Sequence, residues 1–317
     1  MKNFAMIGAA GYIAPRHMKA IKDSGNKLIA ALDKNDSVGV IDNYFPDADF
    51  FVEYERFDRH LELMKRQGTP IHYVTISTPN YLHDSHIRFA LRHGAHAICE
   101  KPLVLNPHNI DALQVFQKET GNQVYNILQL RLHPSIISLK QFVAEEVAKN
   151  PNKIFDVDLT YLTSRGNWYF MSWKGDENKS GGIAMNIGVH FYDMLGWVFG
   201  DLKINEVHIK QIDASSGYLE FQHAKVRWFL SVNYDHIPDK IKETGQRTYR
   251  SITVDGTEIE FSTGFTDLHT ESYKQILSGN GFGLEEAHKS IKIVSDIRNQ
   301  PIAKKPSNTH PFIKKII

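Results

Sequence analysis

A single cysteine, Cys99, occurs in 317 residues, so an internal disulfide is excluded and a reducing compartment is expected. An excess of either charge is lacking as well: 37 Lys and Arg oppose 36 Asp and Glu, for a net charge of +1. Such a chain has no long-range field to gather nucleic acid or anionic lipid, and any anionic ligand must be held locally. No stretch approaches the roughly 18 to 20 apolar residues of a membrane span. The opening Met1 to Ala10 mimics a signal peptide, yet its apolar core is short and runs into a glycine turn, so it reads as a first strand. Internal repeats and low-complexity tracts are missing too. These absences point to a cytoplasmic protein with neither a nucleic-acid nor a membrane partner. What is present, 42% hydrophobic residues over a length that suits two domains, belongs to a core-forming globular chain.

The first half alternates strand and helix. Asn3 to Ala9 reads as a strand and Ile13 to Asp23 as an amphipathic helix, with Gly8-Ala9-Ala10-Gly11 at the turn between them. Small residues there let the backbone approach a pyrophosphate, whose charge the helix N-terminus favours. The pattern departs from G-x-G-x-x-G, because Ala10 stands where the second glycine would be. A second strand, Lys27 to Leu32, ends in Asp33, spaced as the acid that accepts hydrogen bonds from an adenosine ribose and repels a 2′-phosphate. The alternative is that Asp33 and Asp36 cap a short helix beginning near Ser37. Arg56 to Arg66 and Tyr81 to His93 read as helices, and His72 to Ser77 and Ala95 to Cys99 as buried strands. His83 and His86 have no carboxylate or thiolate at ligand spacing, and read as helix-surface residues rather than a metal site. No metal is expected. Cys99, inside an apolar strand, reads as a small buried hydrophobe.

The strand around Cys99 stops abruptly at Glu100-Lys101-Pro102. Strand tips at that edge of an open α/β sheet surround the ligand crevice, and Pro102 holds Lys101 extended. After a strand at Gln123 to Leu128 and a helix from about His133 to Lys149 the texture changes. Alternating segments near 154–161, 206–212, 217–222, 225–234, 249–254 and 258–261 predict a largely antiparallel sheet. Helices near Asn186 to Val198, Asp267 to Leu277 and Leu284 to Arg298 are expected to cover it. The tail from Gln300 reads as a docking strand or loose end. In the first of those helices Asn186, His190 and Asp193 are spaced to share one face, following the pair Gly181-Gly182.

Taken together, Gly8 to Ala14, Asp33, Ser77-Thr78-Pro79-Asn80, Glu100-Lys101-Pro102 and Gly181 to Asp193 resemble the Gfo/Idh/MocA family of NAD(P)-dependent sugar dehydrogenases, in order, over residues 3 to about 298. Within it, the stretches 11–17, 128–131, 164–169, 172–175 and 185–188 look like the UDP-N-acetyl-2-amino-2-deoxyglucuronate 3-dehydrogenases of bacterial surface-polysaccharide synthesis. The resemblance implies an α/β chain: a Rossmann parallel sheet in an NAD-binding domain, residues 1–125, and an α+β domain with a large open, mostly antiparallel sheet, residues 126–317, for substrate and oligomerisation. It further implies an active site between the domains and a homotetramer.

By the same resemblance, NAD is contacted by Gly8, Ala10, Gly11, Tyr12, Ile13, Asp33, Ser77, Thr78, Pro79, Asn80, His83, Glu100, Lys101 and Gln129. Lys101 and His190 form the acid/base pair for a sugar C3 hydroxyl, and Asn186 orients one of them or the substrate. Much of the family has aspartate at that position, and asparagine cannot titrate. The anionic UDP-uronate calls for local cations, and Arg131, Arg165 and Lys174 are the candidates. Trp168 and Tyr169 are candidates for packing against base or sugar, as are Tyr161 and Trp173. 2-Oxoglutarate is a candidate hydride acceptor. The competing expectations are another sugar or inositol dehydrogenase of the family, an NAD-dependent glycosidase, and a non-catalytic NAD-binding regulator.

Overall fold

Apolar runs of the first half become strands buried on both faces, as parallel sheets flanked by helices require. The computed structural model describes residues 1–259 and 267–315, which divide into two compact units, Met1–Gln129 with Thr266–His288 and Leu130–Phe265 with Lys289–Ile317. In the first unit β1 (Asn3–Ile7), β2 (Lys27–Leu32), β3 (Asp49–Phe51), β4 (Tyr73–Ile76), β5 (His96–Cys99) and β6 (Val124–Asn126) form one sheet in the order β3-β2-β1-β4-β5-β6. All its pairings are parallel, and the order reverses direction between β1 and β4, the switch point at which such sheets bind ligands. Helices α1 (Ala14–Asp23), α2 (Tyr54–Arg66), α3 (His83–Arg92) and α4 (Pro107–Thr120) connect the strands.

The second unit holds α5 (Pro134–Lys149), α6 (Asn167–Met171), α7 (Glu177–Ser180), α8 (Gly182–Asn186), α9 (Val189–Phe199) and α10 (Asp239–Lys242). Its sheet comprises β7 (Phe155–Thr163), β8 (Leu202–Lys210), β9 (Ala214–Phe221), β10 (Ala224–Ser231), β11 (Thr248–Val254) and β12 (Thr257–Glu258), in the order β12-β11-β7-β10-β9-β8. The β7–β10 pairing is parallel and the others antiparallel, so the sheet is mixed and mostly antiparallel. Gly217 in β9 lies where a Cβ would fall 2.2 Å from the Glu206 carbonyl and 2.7 Å from the buried Trp228 ring, a strand glycine demanded by close packing. Of the strand expected at 258–261, residues 260 and 261 lie outside the described residues.

Three expectations are corrected. The helix expected on the second sheet near 267–277, α11 (Leu268–Leu277), packs instead on α1 in the first unit, where Tyr273 and Ile276 join the core with Phe4, Met18 and Ile21. The continuous helix from Asn186 to Val198 is two: α8 ends at Asn186 and α9 begins at Val189. The break lets the Gly188 backbone pack so closely that a Cβ would sit 2.4 Å from the Ala184 carbonyl and 2.6 Å from Leu230, and it removes the single helix face expected for Asn186, His190 and Asp193. His83 and His86 are buried rather than on the helix surface, because α3 turns them toward the strand-exit loops. The last long helix, α12 (Leu284–Asn299), is followed by a tail that makes a parallel bridge from Ile302 to Val207.

Candidate active site

The exits of β1, β2, β4 and β5 are tied to one another by main-chain and side-chain hydrogen bonds. Gly8 takes φ +95°, and a Cβ there would meet the Ser77 carbonyl carbon at 2.8 Å, so only glycine lets the first turn lie against the β4 exit. Ser77 Oγ donates to the Gly8 carbonyl at 3.0 Å. Asp33 Oδ2 accepts from the Ala10 amide at 2.9 Å and its Oδ1 from the Asn35 amide, joining the tip of β2 to the same turn. No side-chain cap starts the short helix at Gly39–Asn43, so the capping alternative for Asp33 and Asp36 falls away. Ala10, Gly11 and Ile13 are part-buried, whereas Tyr12 is 93% exposed.

At the β4 exit, Thr78 and Pro79 are part-buried and Asn80 is buried. His83 from α3 lies between two carbonyls, Pro102 at 2.7 Å from Nδ1 and Thr78 at 2.8 Å from Nε2. Burial lowers the pKa of His83, against the two carbonyls that favour its cation. A neutral imidazole has one N–H and donates to one of the two carbonyls. His86 beside it contacts Thr78 Oγ1 at 3.0 Å, and burial drives its pKa down to about 4.

Glu100 directly follows β5, with its carboxylate turned into the unit. Oε1 accepts from His269 Nε2 at 2.8 Å and His17 Nε2 at 3.0 Å, while Oε2 accepts from the Lys101 amide at 3.1 Å. Burial alone would raise the Glu100 pKa, but the two histidine donors outweigh it and hold the carboxyl well below its usual range. Burial has the opposite consequence for the neighbouring Cys99, whose thiol is raised well above its ordinary value and is no nucleophile. Lys101 is part-buried, and its bond to Pro102 is cis. Gln129 is part-buried at the end of the first unit's N-terminal segment.

In the second unit the Asn186 amide donates to Tyr169 Oη at 2.9 Å, and His190 is part-buried in the first turn of α9. Tyr169 is buried, which raises its pKa against the Asn186 hydrogen bond and the nearby Arg165 charge. Arg165 is exposed and Trp168 is 55% exposed, while the Lys174 ammonium lies 4.1 Å from the Trp173 ring centre. Arg131 is buried and donates from Nε and Nη2 to both oxygens of the buried Asp193, at 2.9 and 2.7 Å. Its guanidinium fork is thereby matched to a carboxylate of the chain itself.

Sequence reasoning missed the partners of Glu100. His17 sits on the apolar face of α1 with Ala14, Met18 and Ile21, a core position at which a polar ring needs a partner. That signal was readable. The pairing was not, because Glu100 lies 83 residues beyond His17 and its second partner, His269, a further 169.

Known proteins bear on these arrangements. Residues 2–127 match the Gfo/Idh/MocA oxidoreductase family's NAD-binding Rossmann fold, and residues 149–278 match its C-terminal alpha/beta domain. The WlbA (WbpB) dehydrogenase from Thermus thermophilus, solved with NAD and alpha-ketoglutarate, is 50% identical at a TM-score of 0.94, covering 98% of this chain and 100% of its own. The same enzyme solved with NAD and UDP-GlcNAcA aligns at 49% identity and the same TM-score. The 1,5-anhydro-D-fructose reductase of Ensifer adhaerens is 26% identical over 182 residues; the match spans 54% of this chain and about half, 52%, of that relative's length.

Proposed function

Because the chain belongs to the Gfo/Idh/MocA family of NAD-binding oxidoreductases, we propose that it oxidises the sugar C3 hydroxyl of UDP-N-acetylglucosaminuronic acid to the 3-keto sugar, with NAD as cofactor. The observation that carries this reading is full-length similarity, 49% identity over 98% of the chain, to a dehydrogenase solved with NAD and UDP-GlcNAcA. The first unit supports it, since a glycine turn, Asp33 and the Glu100-Lys101 corner gather at the switch point of a parallel sheet.

NAD, when bound, supplies the hydride acceptor. The turn from Gly8 to Ile13 holds its pyrophosphate and Asp33 its adenosine ribose, which selects NAD over NADP. Ser77 to Asn80, Glu100, Lys101 and Gln129 serve the nicotinamide half, and His83 serves it by bracing the turns. Lys101 and His190 remove and hold the C3 hydroxyl proton, a transfer that requires a base within about 3 Å of that oxygen. Asn186, fixed by Tyr169, orients the sugar. Arg165 and Lys174 meet the anionic groups, and Trp168, Tyr169, Tyr161 and Trp173 flank the base and sugar. Arg131 serves through Asp193, by setting the position of α9 and with it His190. The enzyme belongs in this reading to O-antigen synthesis in the cytoplasm and works as a homotetramer, with residues 1–125 binding NAD and 126–317 binding substrate and sister subunits.

The Thermus enzyme solved with alpha-ketoglutarate supports 2-oxoglutarate as the acceptor that returns bound NADH to NAD. The test is to identify nucleotide in the purified protein, then add UDP-GlcNAcA with and without 2-oxoglutarate and analyse the sugar. A 3-keto sugar and absorbance at 340 nm are expected; an unchanged sugar sinks the reading. Lys101→Ala is expected to abolish hydride transfer while NAD still binds, measured by single turnover and by fluorescence titration.

A further inference from the structure

The corner that carries Lys101 is braced by a buried network that joins Glu100 to residues from α1, β4 and α11 of the first unit. Thr75 Oγ1 lies 2.8 Å from Tyr273 Oη, which lies 2.9 Å from His17 Nδ1; His17 Nε2 and His269 Nε2 converge on Glu100 Oε1, and Glu100 Oε2 takes the Lys101 amide. His17, His269 and Glu100 are 0, 2 and 8% exposed. One proton arrangement satisfies every one of these contacts: Thr75 donates to Tyr273, Tyr273 to His17 Nδ1, and both imidazole Nε2–H groups to the carboxylate. The three ligand atoms also lie within 4.8 Å of one another, close enough for a metal ion, but the hydrogen-bonded arrangement needs none.

We propose that His17, His269 and Tyr273 are positioning residues for Lys101, acting through the Glu100 carboxylate. Glu100 Oε2 ties the amide of Lys101, and His83 contacts the carbonyl of the next residue, so the main chain is held on both sides of the lysine. That fixes the direction in which its side chain leaves β5. Errors of about 1 Å in such a group cost on the order of a hundredfold in rate, which gives the bracing its function. The network also keeps the carboxylate ionised. The titratable groups around it are His17 from α1, His269 and Tyr273 from α11, His83 from α3, and its chain neighbours Cys99 and Lys101.

The inference rests on Lys101 as an acid/base residue of the proposed oxidation. His269→Leu, which removes one donor, is expected to lower kcat about tenfold or more, with KM for the UDP-sugar and Kd for NAD within about twofold. The acid limb of kcat should move to higher pH, because a buried Glu100 with fewer donors protonates more readily. His269→Gln keeps an N–H near the same place and should restore most of kcat. Tyr273→Phe, a smaller change, should shift the same limb if His269→Leu does not fold. If Leu and Gln variants turn over alike, or only urea midpoints change, the positioning role is overturned. It is equally overturned if a chelator silences the wild type and a divalent ion revives it. A wild type that leaves UDP-GlcNAcA unoxidised overturns the functional reading instead, so the two failures are distinguishable.

Discussion

Arg131 and Asp193 form a buried, bidentate pair, and removing one member strands the other charge away from water. Asp193→Ala is therefore expected to cost about 3–5 kcal/mol of stability, read as a lower urea midpoint. Replacing both partners with apolar residues of similar volume should recover most of it. A double variant that is stable but has a KM for the UDP-sugar raised about tenfold or more would instead make Arg131 a direct anion contact. At this scale the sequence was a partial guide. Gly8, Asp33 and the Glu100-Lys101 corner could be picked out because their chemistry follows from position in a βα unit. The burial of Arg131 could not, since a guanidinium reads identically whether its carboxylate belongs to a ligand or to a residue 62 positions away.

Between α8 and α9 a single glycine sets the path of the chain into the segment carrying His190. Gly188→Ala places a methyl group against the Ala184 carbonyl, Leu230 and Tyr192, at 2.4, 2.6 and 2.8 Å. Overpacking of this kind is expected to cost about 1–3 kcal/mol and to lower turnover by displacing His190, measured by denaturant titration beside kcat. A variant with unchanged midpoint and kcat would refute the packing argument. Strands and most helices were legible because period-two and period-3.6 patterns survive in single segments. The split at Gly188 escaped, for its cause is a long-range contact with β10. α4 also went unpredicted although its boundaries are marked, by Pro107 in the first turn and by Gly121 in the left-handed region at its end. Its apolar stripe is narrow, with only Ile110 and Leu113 fully buried. α11 was placed on the wrong sheet because an amphipathic stripe says that a helix is covered and not by what.

Across the whole molecule, burial holds His17, His72, His83, His86, His96 and His310 below the ordinary histidine pKa, with His86 and His310 near about 4. An unfolded chain takes up the protons of His86 and His310 near pH 6.5 and the folded chain only at about 4, so their contribution to stability is full above about pH 6.5 and is lost as the pH falls toward 4, with the other four acting in the same direction. For His86 and His310 together the loss from pH 7 to pH 5 is about 3–4 kcal/mol. Glu100 adds in the same direction below its ordinary pKa, since it stays ionised when folded and gains a proton when unfolded. Urea midpoints should fall steadily over this interval; a flat profile would count against buried neutral histidines. The division into two units has a further consequence, in the order of synthesis. The first unit gives up the chain at Gln129 and completes its core with α11, which emerges from the ribosome only after most of the second unit has been made. Domains generally fold as they appear. Here the unit translated first must wait, with the core sites for Tyr273 and Ile276 unfilled, until nearly the last.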